Sequence, residues 1–259
     1  MAKHYKINEI KGFQKIITPE SSDLKLLNFS IIKNLENEEF SGNTEDEEAV
    51  FVITEGECKF FYEGKLLGEM KRKNVFDEPP VAVYLPPYSN YSIKFNQMSE
   101  ICIVSSKAKG KGKAKIIFSK DMKFRRVGEE TFFRNIIDII GEDFPAEKII
   151  LGETINDPGN WSSYPPHKHD RDNPPEEVKL EELYFFKLKP KTGFGFIRIF
   201  DEEEDNIFLL KNNELVTIPK GYHPVAVAPK HQIYYLWALA GNVRKLQPYT
   251  HPDYIFKKE

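Results

Sequence analysis

Two short stretches of this 259-residue chain gather the side chains best able to do chemistry. The first is Trp161–Glu182, WSSYPPHKHDRDNPPEEVKLEE, and the second is Pro219–His223, PKGYH. Five of the six histidines lie in the second half of the sequence, and three of those, His167, His169 and His223, fall in these stretches. His167 and His169 are two apart, so on an extended strand both imidazoles point to one face. Glu182 opens the run LYFF, in which alternation sets Glu182, Tyr184 and Phe186 on one face and Leu183 and Phe185 on the other. Three imidazoles and a carboxylate arriving from separate strands suit one divalent ion with coordination positions left for substrate. The donor set does not separate Zn, Mn and Fe. Alternation alone does not distinguish Glu181 from Glu182, and Asp170 is a competing oxygen ligand.

The elements that must position these groups are short strands. From Val50 the chain runs VFVITEG, CKFFYEGKLLGEM, VAVYLPPYSNYSI and ICIVSS, apolar runs broken by Gly and Pro. Their length and spacing predict an antiparallel sandwich or barrel rather than βαβ units. EGK around Gly64 is a hairpin turn. Before them, Ser22–Leu35 has strand character and Glu36–Glu48 reads as a solvated acidic loop. The second half repeats the rhythm with LEELYFFKL, GFGFIRIF, IFLL, ELVTIP and IYYLWALAG. Aligning Pro86 with Pro219 sets VAVYLPPYSNYSI against ELVTIPKGYHPVAV and places Asn90 opposite His223. The first half, which has no histidine after His4, is therefore the same module without the metal chemistry. Between the halves, the Lys- and Gly-rich segment Lys107–Arg126 reads as an exposed hairpin whose lysines protect an edge. Glu129–Ile140 reads as a short helix or strand opening the second module.

Composition bounds the rest. Hydrophobic content of 40% with 30% charged residues describes a soluble folded protein. A net charge of -3 argues against a nucleic-acid partner, and no apolar run is long enough to cross a bilayer. Cys58 and Cys102 sit in strand-like runs and read as free thiols of a reducing compartment, so a cytoplasmic location is expected.

GNWSSYPPHKHD (Gly159–Asp170), ELYFF, GFGFIRIF (Gly193–Phe200), GYHPV (Gly221–Val225) and YYLWALAG (Tyr234–Gly241) together resemble the 5-deoxy-glucuronate isomerase family of myo-inositol catabolism. That resemblance implies an all-β tandem cupin, two antiparallel barrels divided here into residues 1–125 and 126–259, related to the 5-keto-4-deoxyuronate isomerases. Cupins usually place three or four residues between the H-x-H pair and the glutamate. Here twelve separate His169 from Glu182, and the second motif is P-x-G-x-H. The resembled family shares that long insert, which favours Glu182 over Glu176, Glu177 and Glu181.

The implied reaction turns an aldose acid into its ketose isomer. It needs an electrophile, a proton-transferring group and a seat for the substrate carboxylate. Asp170, Tyr222, Lys168 and Glu181 are candidates for the proton. Arg198, on the same alternation as Phe194 and Phe196, is the candidate for the carboxylate. Ser162, Ser163 and Tyr164 could hydrogen-bond sugar hydroxyls, while Tyr234, Tyr235 and Trp237 read as core. The expected partner is thus a small sugar acid, with homo-oligomer formation left open. A non-catalytic sugar-acid-binding cupin, such as a sensor, and a metal-dependent oxygenase are the alternatives on the same scaffold.

Overall fold

A computed structural model describes residues 2–7, 10–110 and 112–255. Lys111 of the lysine-rich segment lies outside them. Two antiparallel assemblies dominate. The first carries Gly12–Ile17, Leu27–Leu35, Glu39–Asn43, Glu47–Tyr62, Lys65–Arg72, Val81–Leu85, Asn90–Phe95, Ser99–Lys107 and Lys115–Ile117. The second has a main sheet ordered His4–Lys6, Glu214–Ile218, Glu181–Lys189, Gln232–Ala240, Ile149–Asn156, Arg134–Ile140 and Lys123–Val127. Facing it is a sheet of Trp161–Ser162, Val225–Val227, Gly195–Phe200 and Asp205–Leu210, with His167–Lys168 paired to Tyr249–Thr250.

Three sequence expectations shift. The acidic stretch 36–48 contains the strand Glu39–Asn43 and starts Glu47–Tyr62, where Glu48 is fully buried. The lysine-rich segment is not one hairpin, because Lys115–Ile117 pairs with Val81–Leu85 while Lys123–Val127 pairs with Arg134–Ile140. Position 125 thus sits inside a strand of the second sheet. His4–Lys6 crosses over to extend that same sheet beside Glu214–Ile218. The two edge strands of that sheet therefore come from the other half of the chain and from the junction.

The registers of the two assemblies correspond residue by residue. Ala49 lies opposite Ser105 and Leu85, as Glu182 lies opposite Leu239 and Ile218. Phe51 likewise matches Tyr184, and Pro86 matches Pro219. Carrying the count forward puts Asn90 at the place of His223, as the aligned motifs predict. No metal-binding group occupies the places of Glu182 and His223 in the first barrel.

Alternation on Glu181–Lys189 assigns one face to each of two cores. Leu183 and Phe185 join Leu27, Phe29 and Val50 in a core shared between the barrels, with the rings of Phe29 and Phe185 5.4 Å apart. Tyr184 and Phe186 fill the second barrel with Ile197, Ile218 and Trp237. A strand buried on both faces must be apolar almost throughout, as LYFF is. The interface also holds charges. Glu48 accepts the backbone N–H groups of Glu147, Lys148 and Ile149 at 2.6–2.8 Å. Reciprocally, Glu181 accepts those of Lys25, Leu26 and Leu27 at 2.7–2.8 Å. These two glutamates occupy matching register positions, so each barrel clasps the start of a strand of the other, Ile149–Asn156 and Leu27–Leu35, by the same device. Arg72 and Glu153, both fully buried, pair at 2.7 Å, and Tyr234 donates to the same carboxylate. No helix among the described residues is long and apolar enough to cross a membrane.

Glu100 joins the barrels through Lys187 and Lys33, at 2.5 and 2.8 Å. Burial opposes its ionisation, but the two ammonium groups win and hold its carboxyl at about 2, against an ordinary value of 4.5. A depressed carboxyl contributes stability that is complete above the unfolded value and is lost as pH falls toward the folded one. Urea unfolding should therefore show a midpoint that drops as pH falls from 4.5 to 2, and Glu100→Gln should be less stable at neutral pH and flatter across that window. An unchanged acid limb in the variant would contradict the role.

Candidate metal centre

The His-x-His segment is brief, and its neighbours hold it. His167–Lys168 pairs with Tyr249–Thr250, which directs His167 and His169 inward and Lys168 to the opposite side. The long insert then loops out and is pinned by Glu177. That buried carboxylate accepts Lys168 Nζ at 3.0 Å and the backbone N–H groups of Asp170 and Arg171. The chain returns through Leu180, whose N–H donates to the His169 carbonyl at 2.9 Å, and so delivers Glu182 to the strand. His223 sits on the link from Glu214–Ile218 to Val225–Val227 of the facing sheet, after a turn at Gly221 whose φ of +98° favours glycine. Asp170 Oδ1 accepts the Gly221 N–H at 2.9 Å and ties the two segments together.

One ligand atom from each of His169, Glu182 and His223 lies within 4.8 Å of the others, and all three residues are buried. The His167 ring stands beside them, its centroid 4.9 Å from that of His223 and 6.4 Å from that of His169, outside this tight trio.

The hydrogen-bond pattern settles which nitrogen of each ring is free. A backbone carbonyl only accepts, so a ring nitrogen bonded to one must carry the hydrogen. His169 Nδ1 donates to Leu180 O at 2.6 Å and His223 Nδ1 to Gly221 O at 2.8 Å. His167 Nδ1 faces Pro165 O at 3.4 Å. Every neutral ring therefore turns an Nε2 lone pair toward the cluster, the tautomer that carbonyl contacts impose on metal-binding histidines. Yet Glu182 Oε2 lies 3.0 Å from His169 Nε2 and 3.2 Å from His223 Nε2. The His223 contact lacks hydrogen-bond geometry, so its buried Nε2 has no hydrogen-bond partner. Acceptors facing acceptors in a buried site repel unless a positive charge sits among them.

The ionisation tendencies agree. Burial and the neighbouring His223 and His169 push His167 down to about 3, so it is neutral. Burial opposes the charge of Glu182, but contacts with His169 and His223 outweigh it and take the carboxyl to about 2. Burial likewise works against protonation of His169, and Glu182 more than offsets it, raising its value. The site therefore holds an anion and demands a cation, either a proton on His169 or a metal ion. The nitrogen–oxygen donor set and its spacing fit a divalent ion bound ~2.0–2.2 Å from each atom.

A cavity of about 180 Å³ opens at this cluster, lined by His167, His169, Glu182, Tyr184, Ser163 and Arg134 among others. Arg134 escaped the sequence reading, which took its segment as a short helix or strand opening the second module and gave it no part in the site. Its guanidinium is partly buried and donates to the carbonyls of Phe132 and Tyr164 at 3.3 and 3.0 Å. No carboxylate among the described residues forms a salt bridge with it. Tyr184 was also missed as a site residue, although its place two residues after Glu182 on the same face was the available signal. Its hydroxyl lies 3.1 Å from Ser163 Oγ, and burial with the Glu182 charge raises its pKa well above the ordinary value.

Other expected residues lie elsewhere. Lys168 faces away from the cluster, between the rings of Tyr222 and Tyr249, and with Tyr222 and Glu177 it lines a separate cavity. Asp170 serves the Gly221 turn, and Glu181 is the clasp to the first barrel. None of these proton-transfer candidates lines the cluster cavity, because single-residue alternation turns them to the other side. Arg198 is outward for the same reason, since Ile197 and Ile199 take the barrel interior. Its guanidinium makes a double contact with Asp205, 2.8 Å each, and stacks 3.9 Å from the Phe200 ring centre. Ser162 is buried and absent from the cavity lining, its place being taken by Ser163. Tyr164 packs with Trp161 and Phe132 over a neighbouring groove.

The KduI/IolB family description matches residues 3–256. A 5-deoxy-glucuronate isomerase of Geobacillus kaustophilus is 32% identical over 247 residues, covering 94% of this chain and 90% of the relative. One from Bacillus subtilis strain 168 is 30% identical over 241 residues, covering 91% and 89%. Among solved structures, an IolB-like protein from Salmonella typhimurium LT2 superposes with a TM-score of 0.93 at 23% identity, covering 97% of each chain. Lactobacillus farciminis oxalate decarboxylase gives 0.68 at 12% identity over 95% and 88%. The fold is a tandem cupin.

Metal content is the immediate check on the cluster. Purified protein reloaded with Zn²⁺ or Mn²⁺ should hold close to one ion per chain by mass spectrometry, whereas His169→Ala, Glu182→Ala and His223→Ala should fall to background while remaining folded. Full retention in all three variants would rule the centre out.

Proposed function

The chain belongs to the KduI/IolB family, and from that premise we propose that it converts 5-deoxy-D-glucuronate to 5-dehydro-2-deoxy-D-gluconate. It is read as an intramolecular oxidoreductase acting in the cytoplasm, where its two buried thiols stay reduced. The observation that carries this reading is the meeting of three things in one cavity: a buried donor cluster that demands a cation, a guanidinium without a carboxylate partner, and a protonated phenol. A sugar acid presents a complement to each.

His169, Glu182 and His223 would hold a divalent ion, with His167 beside them, leaving the choice among Zn, Mn and Fe to the loaded protein. Such an ion supplies Lewis-acid polarisation of the carbonyl and adjacent hydroxyl when bound. Arg134 takes the distal carboxylate through charge-assisted hydrogen bonds, and so fixes which end of the sugar faces the cluster. The net reaction moves one proton from the hydroxyl-bearing carbon to the aldehyde carbon and one from that hydroxyl to the aldehyde oxygen, through an enediolate that carries negative charge on oxygen. Tyr184, kept protonated by burial, donates a hydrogen bond to that oxygen, and Ser163 Oγ orients the phenol. Because the charge exists only along the reaction path, this bond acts on kcat more than on binding.

Incubation of metal-loaded protein with 5-deoxy-D-glucuronate, followed by NMR, should show the ketose acid accumulating. Absence of turnover across the uronic acids with every metal tried would contradict the proposal. Arg134→Ala should lower kcat/KM ~10–100-fold, chiefly through KM, since a hydrogen bond to a charged group contributes ~1.5–3 kcal/mol. Tyr184→Phe should lower kcat ~10²-fold or more with KM little changed, while Tyr222→Phe should retain turnover. The reverse ranking of the two tyrosines would assign the hydrogen bond to Tyr222 and the outer cavity instead.

A further inference from the structure

The first barrel has a cavity where the second has its metal pocket, and it is larger, about 610 Å³ against about 180 Å³. The two correspond by register, not merely by eye. Ala49, Phe51, Ile103 and Ser105 line the first cavity at the positions that Glu182, Tyr184, Trp237 and Leu239 hold in the second. What differs is chemistry. The ligand positions carry Ala49 and Asn90, which leave no metal site.

Polar groups appear instead where the second barrel is apolar. Asn28 and Ser105 stand opposite one another on adjacent strands, and their counterparts are Ile150 and Leu239, both in the second barrel's core. Asn28 is nearly buried, and its Nδ2 donates to Glu47 Oε1 at 2.9 Å. Ser105 Oγ donates to Glu47 Oε2 at 2.6 Å. Ser30 adds a further buried hydroxyl. Below this polar wall lie the rings of Phe51 and Tyr91, 4.8 Å apart at 65°. A barrel mouth built only for folding would gain by closing over apolar side chains; this one keeps fixed hydrogen-bonding groups around an open space of ligand size.

We propose that the first barrel binds a neutral monosaccharide or cyclic polyol, without metal and independently of the reaction in the second barrel. Hydroxyl groups both donate and accept, which suits an amide, hydroxyls and a carboxylate arranged together, and the C–H face of a sugar ring packs on aromatic rings. Glu20, Glu45, Asp46 and Glu47 outnumber Lys15, Lys25 and Lys107 in the lining, which disfavours a ligand acid and so the isomerase substrate. The site thus has a specificity distinct from that of the metal pocket.

The test uses the full-length protein and saturation-transfer NMR followed by calorimetry, with neutral hexoses, pentoses and cyclic hexitols beside glucuronate and galacturonate. At least one neutral compound should bind while the acids compete poorly. The variants Asn28→Ile and Ser105→Leu install the residues the second barrel already uses, and each should weaken binding at least tenfold while the protein stays folded and its metal content stays at the wild-type level. His223→Ala should leave this binding intact, which separates the site from the isomerase reading. The proposal is overturned if no neutral compound binds at tens of millimolar, or if binding survives both mouth variants and is lost in His223→Ala.

Discussion

A buried carboxylate faced by imidazole lone pairs cannot persist without positive charge, and that constraint governs the second barrel. The carbonyls of Leu180 and Gly221 each claim an Nδ1 hydrogen, which forces His169 and His223 to offer Nε2 to Glu182. Leaving such an anion uncompensated in the interior costs several kcal/mol, a large part of the stability of any domain. The backbone therefore fixes more than the directions of the side chains. By choosing the tautomer it makes the cluster a receptor for a cation.

That role explains features with no obvious part in chemistry. The twelve-residue insert looks like a disruption of the usual ligand spacing, yet Glu177 gathers its start and Lys168 into one knot and Leu180 brings back the carbonyl that orients His169. Asp170 spans from the His-x-His segment to the turn that presents His223. Behind the cluster, Leu183 and Phe185 bury the reverse face of the Glu182 strand in the core between the barrels. The first barrel is thus the wall against which the Glu182 strand is held, and the reciprocal clasps of Glu48 and Glu181 secure it.

Much of this was legible in the sequence. Period-two alternation assigns the faces of Glu182–Phe186 correctly, and the Pro86–Pro219 alignment survives as a register correspondence. The all-β class follows from the strand rhythm. The failures share a cause. Deciding among Lys168, Asp170, Glu181 and Tyr222 required knowing which carboxylates and turns each would meet across long sequence separations. Glu181 is claimed by N–H groups more than 150 residues away, and nothing in its neighbourhood announces that. Arg198 lay on the face that alternation predicts, but that face is the outside of the barrel. Arg134 was hidden because its segment has no motif; only the pairing of Arg134–Ile140 with Ile149–Asn156 brings it to the cavity. The crossover of His4–Lys6 is invisible for the same reason.

Anomalous diffraction from crystals of metal-loaded protein, recorded on either side of the absorption edge of the added ion, tests most directly the claim that the required cation is a metal ion. One peak should appear among His169 Nε2, His223 Nε2 and a Glu182 oxygen, ~2.0–2.2 Å from each. A well-ordered cluster in the metal-soaked crystal with no peak there, and a proton on His169 in its place, would contradict it.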